Sequence, residues 1–189
     1  MADKIFIGID PSLTATGWAT HRGLSGIVSS NRRGIGRVAE IVDLLAERLG
    51  RPNIPTDCMM VGDDYYAVEG YSFASPYSAH QLGEVGGAIR LFLFRHQRPY
   101  IDVAPQSLKK FATGSGRAKK DELRLAVFKR WGKEFKTDHE VDAFILAKIT
   151  EAVFGDPGPL NQFQIEVVKR CKRNLAPQRA ESDSKSVKP

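Results

Sequence analysis

Apolar and polar positions along this chain switch between a period of two and a helical period, and the switches mark its elements. Residues 4–10 (KIFIGID) form a short apolar run that stops at Asp10. Pro11 and a small polar turn follow, and a second run over 16–20 returns. This pattern reads as a β-hairpin with a carboxylate at its turn end. Residues 24–30 (LSGIVSS) supply a third strand, so the opening predicts an antiparallel meander. The period then becomes helical: Val38, Ile41, Val42, Leu45 and Leu49 predict a helix over 37–49, ended by Gly50, Pro52 and Pro55. Residues 65–68 read as a fourth strand ending in Glu69-Gly70, which repeats the opening design of apolar strand followed by carboxylate.

Residues 76–95 read as a helix whose middle is small, with Gly83, Gly86, Gly87 and Ala88. Glycine weakens a helix by about 1 kcal/mol relative to alanine. Several together therefore predict close approach of another backbone, either the sheet or a second copy of the helix. Residues 100–103 predict a fifth strand and 105–111 a helix. A glycine-rich loop over 113–118 leads into a helix over 119–131. A strongly apolar helix over 140–154 is broken by the Gly155-Asp156-Pro157-Gly158-Pro159 run, and a modest amphipathic helix spans 161–172. The order predicts an α/β fold, a mixed sheet with helices on both faces. It divides into a main domain over 1–155, a helical extension over 156–174 and, from Leu175 on, a disordered polar tail over 175–189.

Composition narrows the class. A chain of 189 residues can bury a substantial core as one domain. No run approaches the ~20 apolar residues that span a bilayer, and no leader precedes the first strand, so no membrane association is expected. Cys58 and Cys171 lie far apart without metal-type spacing. They read as free thiols in a reducing compartment, which places the protein in a cytoplasm, bacterial or that of an infected host. The net charge of +6 points to a polyanionic partner, most simply nucleic acid. The basic residues cluster over 109–120, 129–136 and 169–173.

The candidate chemistry lies in the acids. Asp10 alone reads equally well as a turn starter before proline. Glu69 gives it a counterpart at the end of another strand, at the edge where ligands bind in open α/β sheets. His139 and Asp142 share one helix face at i, i+3 spacing. Carboxylates brought together repel, and a divalent cation relieves the repulsion. Magnesium prefers such oxygen donors, and a pair of ions ~3.5–4 Å apart suits phosphodiester hydrolysis.

Four segments carry a family resemblance: GIDPSLTATGWA, VEGYSFASPYSAHQLGEVGGAI, PQSLKKFATGSGRAKKDEL and HEVDAFILA. In this order and spacing the chain resembles the RuvC family of Holliday junction resolvases, bacteriophage-type members included, in the RNase H-like superfamily. The resemblance covers residues 4–152. It implies an RNase H-like five-stranded sheet, three strands antiparallel and two parallel, flanked by helices. It implies a divalent-metal-dependent endonuclease that resolves four-way DNA junctions by paired symmetric cuts, with two Mg2+ ions per site.

By the same resemblance Asp10, Glu69 and Asp142 are the metal-ligating carboxylates. His139 stands at the fourth position, with Asp138 beside it as the alternative. An imidazole in the set implies that Mn2+ also supports activity. Lys119 and Lys120 correspond to basic residues that stabilise the transferring phosphate; Lys109, Lys110 and Arg117 extend that basic stretch toward DNA. Tyr71 and Phe73 correspond to a loop that wedges into the junction centre, against the plainer reading that both pack on the sheet. The glycine-containing helix corresponds to the family's homodimer helix, and a helicase partner is not legible. The sequence leaves other readings: an RNase H-like nuclease on other branched DNA or RNA–DNA hybrids, a catalytically inactive junction-binding protein, and, far behind, an actin-like or sugar-kinase phosphate loop. The last needs a second domain of which no copy is visible.

Overall fold

The computed structural model describes residues 4–49, 64–70 and 79–180, without the side chains of 79–82, 174 and 176–180. Five strands form one sheet: β1 (Ile5–Asp10), β2 (Thr16–Thr20), β3 (Ser25–Val28), β4 (Asp64–Glu69) and β5 (Tyr100–Val103), in the order β3-β2-β1-β4-β5. The first three are antiparallel neighbours, and β4 and β5 add in parallel on the other side of β1. This is the expected sheet. β3 is shorter than the 24–30 run because it is an edge strand and pairs only where β2 lies opposite, from Ser25 against Ala19 to Val28 against Thr16.

The alternation of each strand sorts its side chains between two cores. Ile7, Ile9, Tyr66 and Val68 face α1 (Ile35–Leu49) and α2 (Ala79–Arg95), where they bury Val38, Ile41, Leu45, Val85, Ile89 and Leu93. Ala19, Ala67 and Val103 face the other layer, built from α3 (Pro105–Thr113), α4 (Lys120–Trp131), α5 (Asp138–Phe154) and α6 (Gln162–Ala180). α5 is buried along most of its length, and β1 runs beneath it.

Two boundaries differ from the sequence reading. α5 starts at Asp138 rather than at 140, because Thr137 caps it: the Thr137 hydroxyl accepts from the Glu140 N–H, and the Glu140 carboxylate accepts from the Thr137 N–H. This reciprocal pair is a capping box. It draws Asp138 and His139 into the first helical turn. α6 continues to Ala180, past the start of the expected tail, and Leu175 packs against the core on its inner face. Within the extension, Val167, Val168 and Cys171 join the same core as α3 and α5. No helix among the described residues is long and apolar enough to cross a membrane.

Candidate active site

The register of the sheet brings the first two acids together. Ile9 lies opposite Val68 in the parallel pairing of β1 and β4, so Asp10 and Glu69 sit at the same C-terminal edge. Both lie an even number of residues from Gly8 and Ala67, whose face looks toward α5, so both carboxylates point to the α5 layer. Asp10 is buried, and Glu69 is half-buried.

α5 approaches this edge because two glycines let it. A Cβ on Gly8 would lie 2.0 Å from the Ala143 carbonyl oxygen and 2.6 Å from the Ala147 nitrogen. A Cβ on Gly17, the β2 partner of Asp10, would lie 2.4 Å from the His139 carbonyl oxygen. Any side chain at either position would lift the helix off the sheet. With hydrogen there instead, His139 and Asp142 descend onto Asp10. His139 Nδ1 sits 2.6 Å from Asp10 Oδ2.

The electrostatics report a crowded acidic edge. Burial, then the Asp10 charge and its hydrogen bond, hold the Glu69 carboxyl far above the usual carboxylate range. Asp142 is pushed up to about 7, by burial first and the Asp10 charge second. The hydrogen bond to Asp10 raises His139, which favours its imidazolium form. The shifts thus fall on two carboxyls and one imidazole. Among the described residues, no three His, Cys, Asp or Glu side chains are drawn tightly enough to form a ready metal-binding group. His139 instead hydrogen-bonds Asp10, a contact that favours its charged form. The donor chemistry nevertheless fits a divalent cation: oxygen donors in excess, two of them held toward the neutral form by burial and by the neighbouring Asp10 charge.

Asp138, the alternative fourth ligand, is engaged elsewhere. Its Oδ1 accepts from Arg124 Nε at 2.8 Å and pairs with Arg124 Nη2 at 2.7 Å, while its Oδ2 pairs with Lys120 Nζ at 2.8 Å. Those two cations pull the Asp138 carboxyl below its ordinary value. Lys120 is thereby tethered beside the acids, within electrostatic reach of Asp142 and Asp10. Lys119 precedes it as the N-cap of α4, with its backbone N–H on the Glu122 carboxylate.

The other predicted residues scatter. Lys109 on α3 is half-buried and close enough to Glu69 to lower its pKa. Lys110, one residue on, turns away and pairs with Glu166 of α6 at 2.5 Å. Arg117 is exposed on the loop before α4. Tyr71 and Phe73 lie outside the described residues.

Sequence reasoning missed several contributors. Gly8 and Gly17 were legible as small residues on the Asp10 face of the hairpin. Arg124 carried no signal beyond its charge. Arg90 on α2 is another: its Nε donates to Asp102 Oδ1 at 2.6 Å, and its Nη2 donates to the Glu69 carbonyl at 2.9 Å. It ties α2 to the strand end that presents Glu69.

Known proteins resemble this chain over most of its length. The family described as crossover junction endodeoxyribonuclease RuvC matches residues 6–150. The RuvC enzyme of Parvibaculum lavamentivorans is 34% identical over 151 residues, which is 75% of this chain and 83% of that protein. That of Nitratidesulfovibrio vulgaris strain DP4 is 28% identical over 132 residues, 67% of this chain and 76% of the relative. Among solved structures, Thermus thermophilus RuvC has the same fold at a TM-score of 0.56 and 21% identity, covering 78% of this chain and 95% of that one. The same protein in complex with a Holliday junction substrate superposes with a TM-score of 0.57. With the match running from β1 into α5 and taking in both strand ends that carry acids, this chain belongs to the RuvC family of crossover junction endodeoxyribonucleases.

Proposed function

We propose that the chain resolves four-way DNA junctions by paired hydrolysis of symmetric phosphodiesters, with Asp10, Glu69, His139 and Asp142 holding two divalent cations. The observation that carries the residue assignment is the meeting of β1, β4 and α5 at one sheet edge, with His139 Nδ1 2.6 Å from Asp10. Family membership supports the reaction, and the junction-bound Thermus relative supports the substrate. The full acidic set speaks against an inactive junction binder.

Bound cations supply the activation of water and the neutralisation of charge on the scissile phosphate. The side chains do the rest. Asp10, buried and central to the set, orients the others. Glu69 and Asp142, which burial and the Asp10 charge hold toward their protonated forms, would hold the ions as carboxylates, their protons passing to solvent. His139 would serve as a neutral imidazole donor, its extra proton passing to solvent. Engagement of Asp138 with Lys120 and Arg124 supports His139 over Asp138 as the fourth ligand. The Lys120 ammonium, held by Asp138, leaves a cation at the edge where charge on the transferring phosphate develops; Lys119 beside it is exposed and free to meet backbone phosphate. Magnesium is the expected ion, and manganese is accommodated by the imidazole.

Two symmetric cuts call for two sites related by a two-fold axis. α2 is the proposed dimer helix: its inner face is spent on α1 and the sheet, while Leu91 and Phe94 stay 48% and 72% exposed on its outer side. Tyr71 and Phe73, which follow Glu69, are assigned to stacking on opened bases at the junction centre, worth ~1–3 kcal/mol per base.

The test compares a four-way junction, a flap, a linear duplex and an RNA–DNA hybrid, each with Mg2+ and with Mn2+, for the wild type and Asp10→Asn. Paired symmetric nicks on the junction, lost in Asp10→Asn, are the expected result. Preferential cutting of the hybrid would overturn the reading, and binding without cutting under either metal would establish an inactive binder.

A further inference from the structure

α6 lies beyond residues 6–150, the span that the family accounts for, and its charge is unused by the reaction. Its two faces differ sharply. Val167, Val168 and Cys171 are buried in the core with α3 and α5. Glu166, Lys169, Arg170 and Arg173 recur at i, i+3, i+4 and i+7, which is one helical stripe, and all four are exposed. This stripe forms one wall of a groove of about 420 Å3, whose other wall is Gln106 and Lys110 of α3. The groove's single acid, Glu166, is neutralised by Lys110 at 2.5 Å. Among the described residues no carboxylate pairs with Lys169, Arg170 or Arg173. Three exposed cations therefore line one stripe without a paired carboxylate, which leaves them available to an outside anion.

The groove and the proposed active edge share one helix, α3. α3 begins two residues after Val103, whose carbonyl accepts from the Gly70 N–H at 2.8 Å, beside Glu69. Successive residues of α3 then serve both places: Lys109 acts on Glu69, and Lys110 stands in the groove.

We propose that the α3–α6 groove is a second nucleic-acid contact, which takes the sugar–phosphate backbone of a junction arm on Lys169, Arg170 and Arg173. The proposal rests on the resolvase reading for the identity of the DNA. In this site Glu166 is a brake: it holds Lys110 away from phosphate and subtracts charge from the stripe.

The experiment measures binding of a fluorescent four-way junction by the full chain over ~50–200 mM salt, with calcium in place of magnesium. Each phosphate contact contributes about −0.9 to the slope of log K against log salt. The triple variant Lys169→Ala, Arg170→Ala, Arg173→Ala is expected to bind at least about tenfold more weakly at the lower salt, with a slope shallower by about 2–3. Glu166→Gln is expected to move the other way, binding about two- to fivefold more tightly with a slope steeper by about 1. Opposite signs cannot both come from a damaged fold. An unchanged slope in the triple variant, or weaker binding in Glu166→Gln, overturns the proposal. Cleavage of the same junction with Mg2+ is read in parallel on wild type: if it fails while the slopes behave as stated, the resolvase reading falls and the groove stands.

Discussion

His139 Nδ1 and Asp10 Oδ2, 129 residues apart in the chain, lie 2.6 Å from each other. The pair favours the imidazolium form of His139 at an edge that also holds Glu69 and Asp142. This has a consequence for pH. Asp142 is raised from 3.8 to about 7. A carboxyl raised on folding stabilises the fold while protonated and loses that contribution as pH climbs from its unfolded to its folded value. His139, raised above 6.5, contributes fully below that value and loses its share as pH rises through the folded one. Both effects have the same sign. The melting temperature of metal-free protein should fall from pH 5 to pH 8, and saturating Mg2+ or Mn2+ should flatten the fall. A metal-free profile that is flat across this range would count against the crowded edge.

The fourth ligand can be decided by pairing two variants. His139→Ala should weaken Mn2+ binding, read by calorimetry, by about 10-fold or more and abolish cleavage. Asp138→Asn should leave the metal affinity within about twofold while freeing Lys120 and Arg124, and so alter the salt dependence of DNA binding. The reverse pattern would identify Asp138 as the ligand.

Gly17→Ala places a methyl 2.4 Å from the His139 carbonyl, a backbone atom that cannot yield without moving α5. Denaturant unfolding should show a loss of about 1–3 kcal/mol or more, and cleavage should disappear even where the protein still folds. Gly36→Ala in α1 is the contrast: its nearest neighbour would be the Arg32 side chain at 3.7 Å, so it should be neutral or stabilising by about 0.4–1 kcal/mol.

Arg90 holds the Glu69 carbonyl from α2 at 2.9 Å. Arg90→Met should lower metal affinity by about 10-fold through a looser Glu69. Arg90→Lys, which keeps the charge but not the fork, should recover only part of it. Equal affinities in all three proteins would show that Arg90 braces the helix alone.

What the sequence determined by itself is local in origin. The alternation of Ile5 to Asp10, the helical period of 38–49 and the acids at two strand ends each depend on neighbours a few residues away, and each appears in the structure where its pattern puts it. The capping box of Thr137 and Glu140 was equally local, and its T-x-x-E spacing could have moved the start of α5 to Asp138. The meeting of Asp10 with His139 is another matter. It depends on strand register, on the absence of a side chain at Gly8 and Gly17, and on the burial that seats α5 against β1. The pairing of Asp138 with Lys120 and Arg124 likewise follows from where α4 brings those two cations. Contacts between elements distant in sequence are set by packing, which no local pattern encodes, and so only the tertiary structure could decide them.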